Sequence, residues 1–253
     1  MAGKFLLVLL INKHEEVIMM MMNTVTKTAC ALAVLAATST SVMAESIDVR
    51  VIGTITPTAC KPTLSGGGTI DYGVISPASL KKDTVTVLAE KQVDFSITCD
   101  APAKVAVNAI GTKSDTATDV KGTGGYPYFI GGKLFGAVNP NVTGLGADGG
   151  KNIGGYGIRL VPDTFTLDGN KAINIFRESP DHAWIKPVDE GILLTWNKKS
   201  QTSWSNKSGG NPVAFKMVAG KLGVQAYITK TSELDLSKPV KLDGLTTLEM
   251  HYL

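Results

Sequence analysis

Cysteine is nearly absent: the 253 residues hold three, Cys30, Cys60 and Cys99. That excludes a multi-bridge disulfide scaffold and a cysteine-rich zinc module. Histidine is as scarce. His182 and His251 have no partners at metal-ligand spacing, so neither a metal nor any other cofactor is expected. Charge is close to balanced at +3, with no run of one sign, which removes the electrostatic footprint of a nucleic-acid or membrane-surface binder. Helical periodicity is missing beyond residue 45, where "PASLKK" at 77–82 offers at most a single turn. An α/β enzyme architecture needs helices that this sequence does not supply. The apolar run "ACALAVLAA" at 29–37 is too short to span a bilayer.

That short run does fit an export signal. Lys27 precedes it, "TSTS" follows, and "VMA" at 42–44 places small residues at −3 and −1, so cleavage is expected after Ala44. Four methionines, Met19 to Met22, stand ahead of the run and suggest that translation starts there. Residues 1–44 are therefore read as a signal peptide with a spurious extension, and 45–253 as one folded domain of about 209 residues. Cleavage removes Cys30. The two remaining cysteines, Cys60 and Cys99, are expected to pair in an oxidising compartment.

What is abundant is period-2 alternation. "SIDVRVIGTI" puts Ile47, Val49 and Val51 on one side, and "VDFSITC" does the same for Val93, Phe95 and Ile97. "AKVAVNAIG", "YGIRLVP", "AFKMVAGKLGVQAYITK" and the closing "TTLEMHYL" continue the pattern, separated by Gly, Pro and Asp punctuation. The fold class expected is all-β, a sandwich or barrel. Between about 111 and 157 the sequence turns rich in Gly, Asn, Asp and Thr, and reads as a long insertion with a small hairpin over Gly131–Gly132.

No constellation in the chain argues for an enzyme. "GLGADG" at 144–149 matches a dinucleotide fingerprint in letters, but no strand precedes it and no helix follows. Ser179, Asp181 and His182 are adjacent in sequence, which is not triad geometry, and no nucleophile elbow is present. Among the tryptophans, Trp196 sits in the apolar "ILLTW" and reads as core. Trp184 and Trp204 lie in polar stretches and are candidates for stacking on a host glycan.

Three features together carry a resemblance. Gly53 and Cys60 are followed by "IDYGVI", then by a strand ending at Cys99, and the chain closes on Leu248, Met250 and a penultimate Tyr252. Behind an export signal, this order resembles the pilin subunits of bacterial chaperone–usher fimbriae, and the length is closest to long enterobacterial fimbrial-like proteins. The resemblance implies an immunoglobulin-like, pilin-type sandwich that lacks its last strand. It also implies a periplasmic chaperone, an usher and neighbouring subunits as partners, and a place in the periplasm or on the cell surface. Leu248, Met250 and Tyr252 would line or flank the groove of the missing strand, and the Leu253 carboxylate would meet the chaperone. Only Glu45 to Ile52 precede Gly53, so a subunit that accepts a strand without giving one is expected, contributing to pilus assembly or cell adhesion. Two other readings stand beside it: a carbohydrate-binding tip adhesin, and a freestanding periplasmic binding protein with a complete sandwich.

Overall fold

The computed structural model describes residues 50–53, 58–122, 125–187 and 190–253. The export signal with its cleavage after Ala44, and most of the strand expected over 47–51, lie outside the described residues. Eight principal strands build the domain: β1 Cys60–Leu64, β2 Lys91–Ala103, β3 Val105–Gly111, β4 Gly154–Leu160, β5 Ile173–Arg177, β6 Gln201–Ser205, β7 Phe215–Ile228 and β8 Thr246–Tyr252. They form two antiparallel sheets, ordered β1-β2-β7-β4 and β5-β6-β3-β8. The all-β class is what the alternation demanded, and of its two forms, sandwich and barrel, the chain adopts the sandwich.

The strand order is informative. Lettered in chain order, with β5 and β6 set aside as an inserted pair, the first sheet reads A-B-E-D and the second carries C-F. That is the order of a constant-type immunoglobulin sandwich, whose second sheet is C-F-G. The position beside β8, where G belongs, has no strand among the described residues.

The core lies between the sheets because each strand turns its apolar alternation inward. Phe95, Ile97 and Cys99 of β2 face Val105, Val107 and Ala109 of β3, all nearly or fully buried. At the centre Trp204 lies against Phe95, Phe165 and Phe215, with ring centroids 6.3, 5.6 and 5.9 Å away. Cys60 and Cys99 stand opposite one another in the β1–β2 ladder and form the expected disulfide. Cys60 opens β1, and β2 runs on past Cys99 to Ala103 where the sequence suggested a strand ending at Cys99.

The insertion is more than loop. Phe129, Leu134 and Val142 join Val85, Ala117 and Tyr227 in a second apolar cluster on the outer face of the first sheet. Tyr227 stacks on Phe129 with centroids 4.0 Å apart and donates its hydroxyl to the Thr118 carbonyl at 2.7 Å. The glycines of "GGYGIRL" explain how the cluster can approach. Tyr156, Ile158 and Leu160 face the core, and Gly155 and Gly157 face out. A Cβ on Gly157 would sit 2.9 Å from the Phe135 ring. The hairpin expected over Gly131–Gly132 is shifted: strands 133–134 and 137–138 pair across Phe135–Gly136. Both turn residues have positive φ, 55° and 85°, the type I′ signature whose twist matches a two-residue hairpin.

Candidate functional site

The candidate site begins with β8. Its seven residues pair with β3 one for one, from Thr246 opposite Gly111 to Tyr252 opposite Val105, and Leu253 adds an N–H to the Lys104 carbonyl at 3.1 Å. Alternation sends Leu248 and Met250 inward, half-buried against the main core, while Thr247 and Glu249 face solvent. On the outer face His251 Nε2 hydrogen-bonds Asn108 Oδ1 at 2.7 Å, which fastens β8 to β3 through side chains as well as backbone. The opposite edge of β8 has no backbone partner among the described residues. An unpaired edge of this length carries a row of free donors and acceptors, a template for another strand.

Beside that edge opens a groove of about 1080 Å³. Its floor is the inner face of the first sheet: Leu222, Val224 and Ala226 of β7 with Tyr156 and Ile158 of β4. Leu248 and Thr246 form one wall, and Ile70, Tyr72 and Val74 the other. The second wall arises because the chain leaves β1 through Gly66 and Gly67, at φ 62° and 65°, and swings away from the sheet. Tyr72 then pins it. Its hydroxyl donates to the Val224 carbonyl at 3.0 Å and accepts from the Ala226 N–H at 3.1 Å. Val74, on this wall, is fully exposed, and Leu245, across the groove, is 57% exposed. Exposed apolar side chains gathered along a groove mark an interaction surface.

Several polar groups of the groove are already paired. Tyr156 Oη shares a hydrogen bond with Thr246 Oγ1 at 2.6 Å, joining the floor to the base of β8. Burial pushes this phenol up to about 12, with the Thr246 bond acting weakly the other way, so it stays neutral at physiological pH. Burial likewise raises the Tyr72 phenol, against the opposing Ala226 bond. Lys113–Asp243 and Lys238–Asp148 close ion pairs, the second at 3.1 Å; Lys238 and Asp243 themselves line the groove. This arrangement suits an extended apolar segment whose backbone pairs with β8.

The expected site residues divide. Leu248 lines the groove, while Met250 packs against the core and Tyr252 stands beyond the open part. Tyr252 is half-exposed, and its hydroxyl accepts from the Cys60 N–H at 2.7 Å. The tryptophan expectations are corrected. Trp204 is fully buried at the centre of β6, so it has no face to offer a glycan. Trp196, expected in the core, is 63% exposed. Leu193 and Leu194 end the buried run, and the chain turns at Trp196–Asn197, with the Lys198 N–H donating to the Thr195 carbonyl at 3.4 Å. Trp184 is partly exposed, with the Arg177 guanidinium 4.5 Å from its ring centroid, so one aromatic face is already covered. Ser179 Oγ does meet His182 Nδ1, at 2.6 Å, on an exposed loop. The groove's second wall, 69–75, was missed as a site, although "IDYG" was its signal. "GLGADG" is strand end and hairpin: 147–148 pairs with 151–152 across Gly149–Gly150.

Comparison with known proteins bears on the same elements. A family model described as "Protein of unknown function (DUF1120)" matches residues 49–157, which takes in β1, β2, β3, the insertion and the start of β4. Two proteins of Escherichia coli (strain K12) are similar over most of their length. "Uncharacterized protein YhcF" is 26% identical over 226 residues, covering 82% of this chain and 90% of that protein. "Protein GltF" is 27% identical over 250 residues, covering 91% and 98%. The chain is distantly similar to both over most of its length, and residues 49–157 are similar to the DUF1120 family.

Proposed function

We propose that this protein is a fimbrial-like subunit of a chaperone–usher system, exported to the periplasm and completed by a strand from a partner. The observation that carries this reading is the unpaired β8 edge beside an apolar groove, at the one position where an immunoglobulin sandwich would place strand G. A strand added there pairs with β8 through its backbone and buries alternate side chains on Leu222, Val224 and Ile158. This is β-augmentation, with affinity from the ladder and specificity from the pockets. A periplasmic pilus chaperone supplies the strand first, and a neighbouring subunit replaces it during assembly at the usher. The protein is not an enzyme in this reading, and its work is pilus assembly or adhesion at the cell surface. The glycan-binding alternative loses Trp204 and retains Trp184 alone of its two candidates.

Expression in the periplasm, with and without a co-produced pilus chaperone, tests the proposal. Gel filtration is expected to show a one-to-one complex when the chaperone is present, and a low yield of free chain beside aggregates when it is absent. Leu248→Glu, which sets a charge in the groove wall, is expected to abolish the complex. A folded monomer that needs no chaperone and ignores Leu248→Glu would favour the self-complete binding protein instead.

A further inference from the structure

We infer that Tyr252 is a bolt across the receiving seam, one that an incoming strand must withdraw before it can pair along the whole of β8. The inference rests on the strand-receiving reading above and adds a step to it. Cys60 and Tyr252 belong to the two edges that face each other over the missing strand: β1 bounds the first sheet and β8 the second. In the β1–β2 ladder Asp100 N–H bonds the Ala59 carbonyl at 3.0 Å, so the backbone of Cys60 points the other way, towards the open seam. Its N–H is met there by the Tyr252 hydroxyl at 2.7 Å. A side chain of one unpaired edge thus occupies a backbone donor of the other.

The position of the bolt explains the extent of the groove. Lining residues begin at Leu64 on the β1 side and end at Leu248 on the β8 side. The seam is open from there towards Tyr72 and Thr246, and closed at Cys60–Tyr252. A new strand needs a lane about 4.8 Å from β8. At the lower end of β8 the Tyr252 ring, reaching for Cys60, lies across that lane. The ring is 53% exposed, so little burial holds it, and its one hydrogen bond can pass to the donor. When the phenol swings out, a backbone carbonyl of the incoming strand takes over the Cys60 N–H, and the count of hydrogen bonds is unchanged. Docking therefore starts at the open end, near Thr246 and Leu248, and finishes at Cys60. The bolt also keeps a backbone donor of β1 satisfied in the chain without its partner, where a bare edge invites aggregation.

The test uses the purified full chain and a fluorescein-labelled synthetic strand of alternating leucine or valine and threonine or lysine, followed by anisotropy. Tyr252→Phe removes only the hydroxyl. It is expected to take up the peptide about fivefold faster than the natural chain, the worth of one ordinary hydrogen bond, with an unchanged circular dichroism spectrum. Tyr252→Leu, which also removes the ring, is expected to be at least as fast, and Glu249→Gln on the outward face should behave like the natural chain. Equal or slower uptake by both Tyr252 variants overturns the bolt and leaves the receiving groove standing. No uptake by any chain, with chaperone dependence also absent, overturns the groove reading and the bolt with it.

Discussion

Replacing Cys60 and Cys99 together by alanine is expected to lower the stability of the domain by about 4 kcal/mol. The two residues are 39 apart in sequence, and in the chain-entropy treatment a cross-link of that span removes about that much freedom from the unfolded chain. Against a typical total of about 5–15 kcal/mol, such a loss leaves a marginal fold. The effect is also local. β1 is an edge strand with β2 as its one ladder partner, and it leads directly into the 69–75 wall of the groove. Without the bridge, β1 is free to peel from β2 and take the wall with it. Urea unfolding of the double variant measures the first effect, and loss of strand binding at urea concentrations that leave the sheets intact measures the second. An unfolding free energy within about 1 kcal/mol of the natural chain's, at the same slope, would mean that the bridge is dispensable.

Trp204→Ala is expected to cost about 3–5 kcal/mol, the range for deleting a large aromatic from a packed core. Its ring is fully buried among Phe95, Phe165 and Phe215, which cannot all close on the space it leaves. The indole N–H has no hydrogen-bond partner among the described residues, so Trp204→Phe abandons no polar contact and is expected to cost less than half as much. Trp184→Ala and Trp196→Ala should change stability by no more than about 0.5 kcal/mol, as surface substitutions do. Denaturant midpoints for the four variants give the ranking. A Trp196→Ala variant as unstable as Trp204→Ala would show the assignment of core and surface to be wrong.

The tryptophans show where sequence reading works and where it fails. Long strands with unmixed alternation, such as "VDFSITC" and "AFKMVAGKLGVQAYITK", announced themselves, because the core takes every second residue and those residues are apolar. β6, "QTSWS", did not. Its outward residues are polar yet buried, held by side-chain bonds that a one-dimensional pattern hides. Gln201 Oε1 accepts from Arg177 Nε at 2.9 Å, and Ser203 Oγ donates to the Val105 carbonyl at 2.7 Å. Trp204 therefore looked like a loop residue. Trp196 looked like core because Leu193 and Leu194 precede it, but the buried run ends at Leu194 and the turn from Thr195 to Lys198 carries Trp196 into solvent. The hairpin moved from Gly131–Gly132 to Phe135–Gly136 for a similar reason. Gly131 is pressed against Phe129 and Val85 in the second cluster, and a bulky Phe135 accepts positive φ to place its ring over Gly157.

The disulfide was legible because two cysteines in an exported domain leave one simple pairing. The groove was legible only through resemblance, since a position that no strand fills among the described residues leaves nothing to read. Alternation in "TTLEMHYL" specifies a strand with one face inward, and it is silent on whether one edge or both are paired. The wall at 69–75 depends on Gly66, Gly67 and the reach of Tyr72 to β7, a contact across 152 residues that local pattern does not encode.

The most direct measurement is the melting temperature of the chain carrying an alternating apolar strand joined to Leu253 by a flexible glycine–serine linker, against the same composition in scrambled order. If β8 and the groove receive a strand, the tethered segment buries several apolar side chains and completes a ladder. A net gain of about 3–5 kcal/mol raises the melting temperature by about 10 °C in a domain of this size. The scrambled tether should leave it unchanged. Equal melting temperatures for the two chains would contradict the account, because the sandwich would then have no place for another strand.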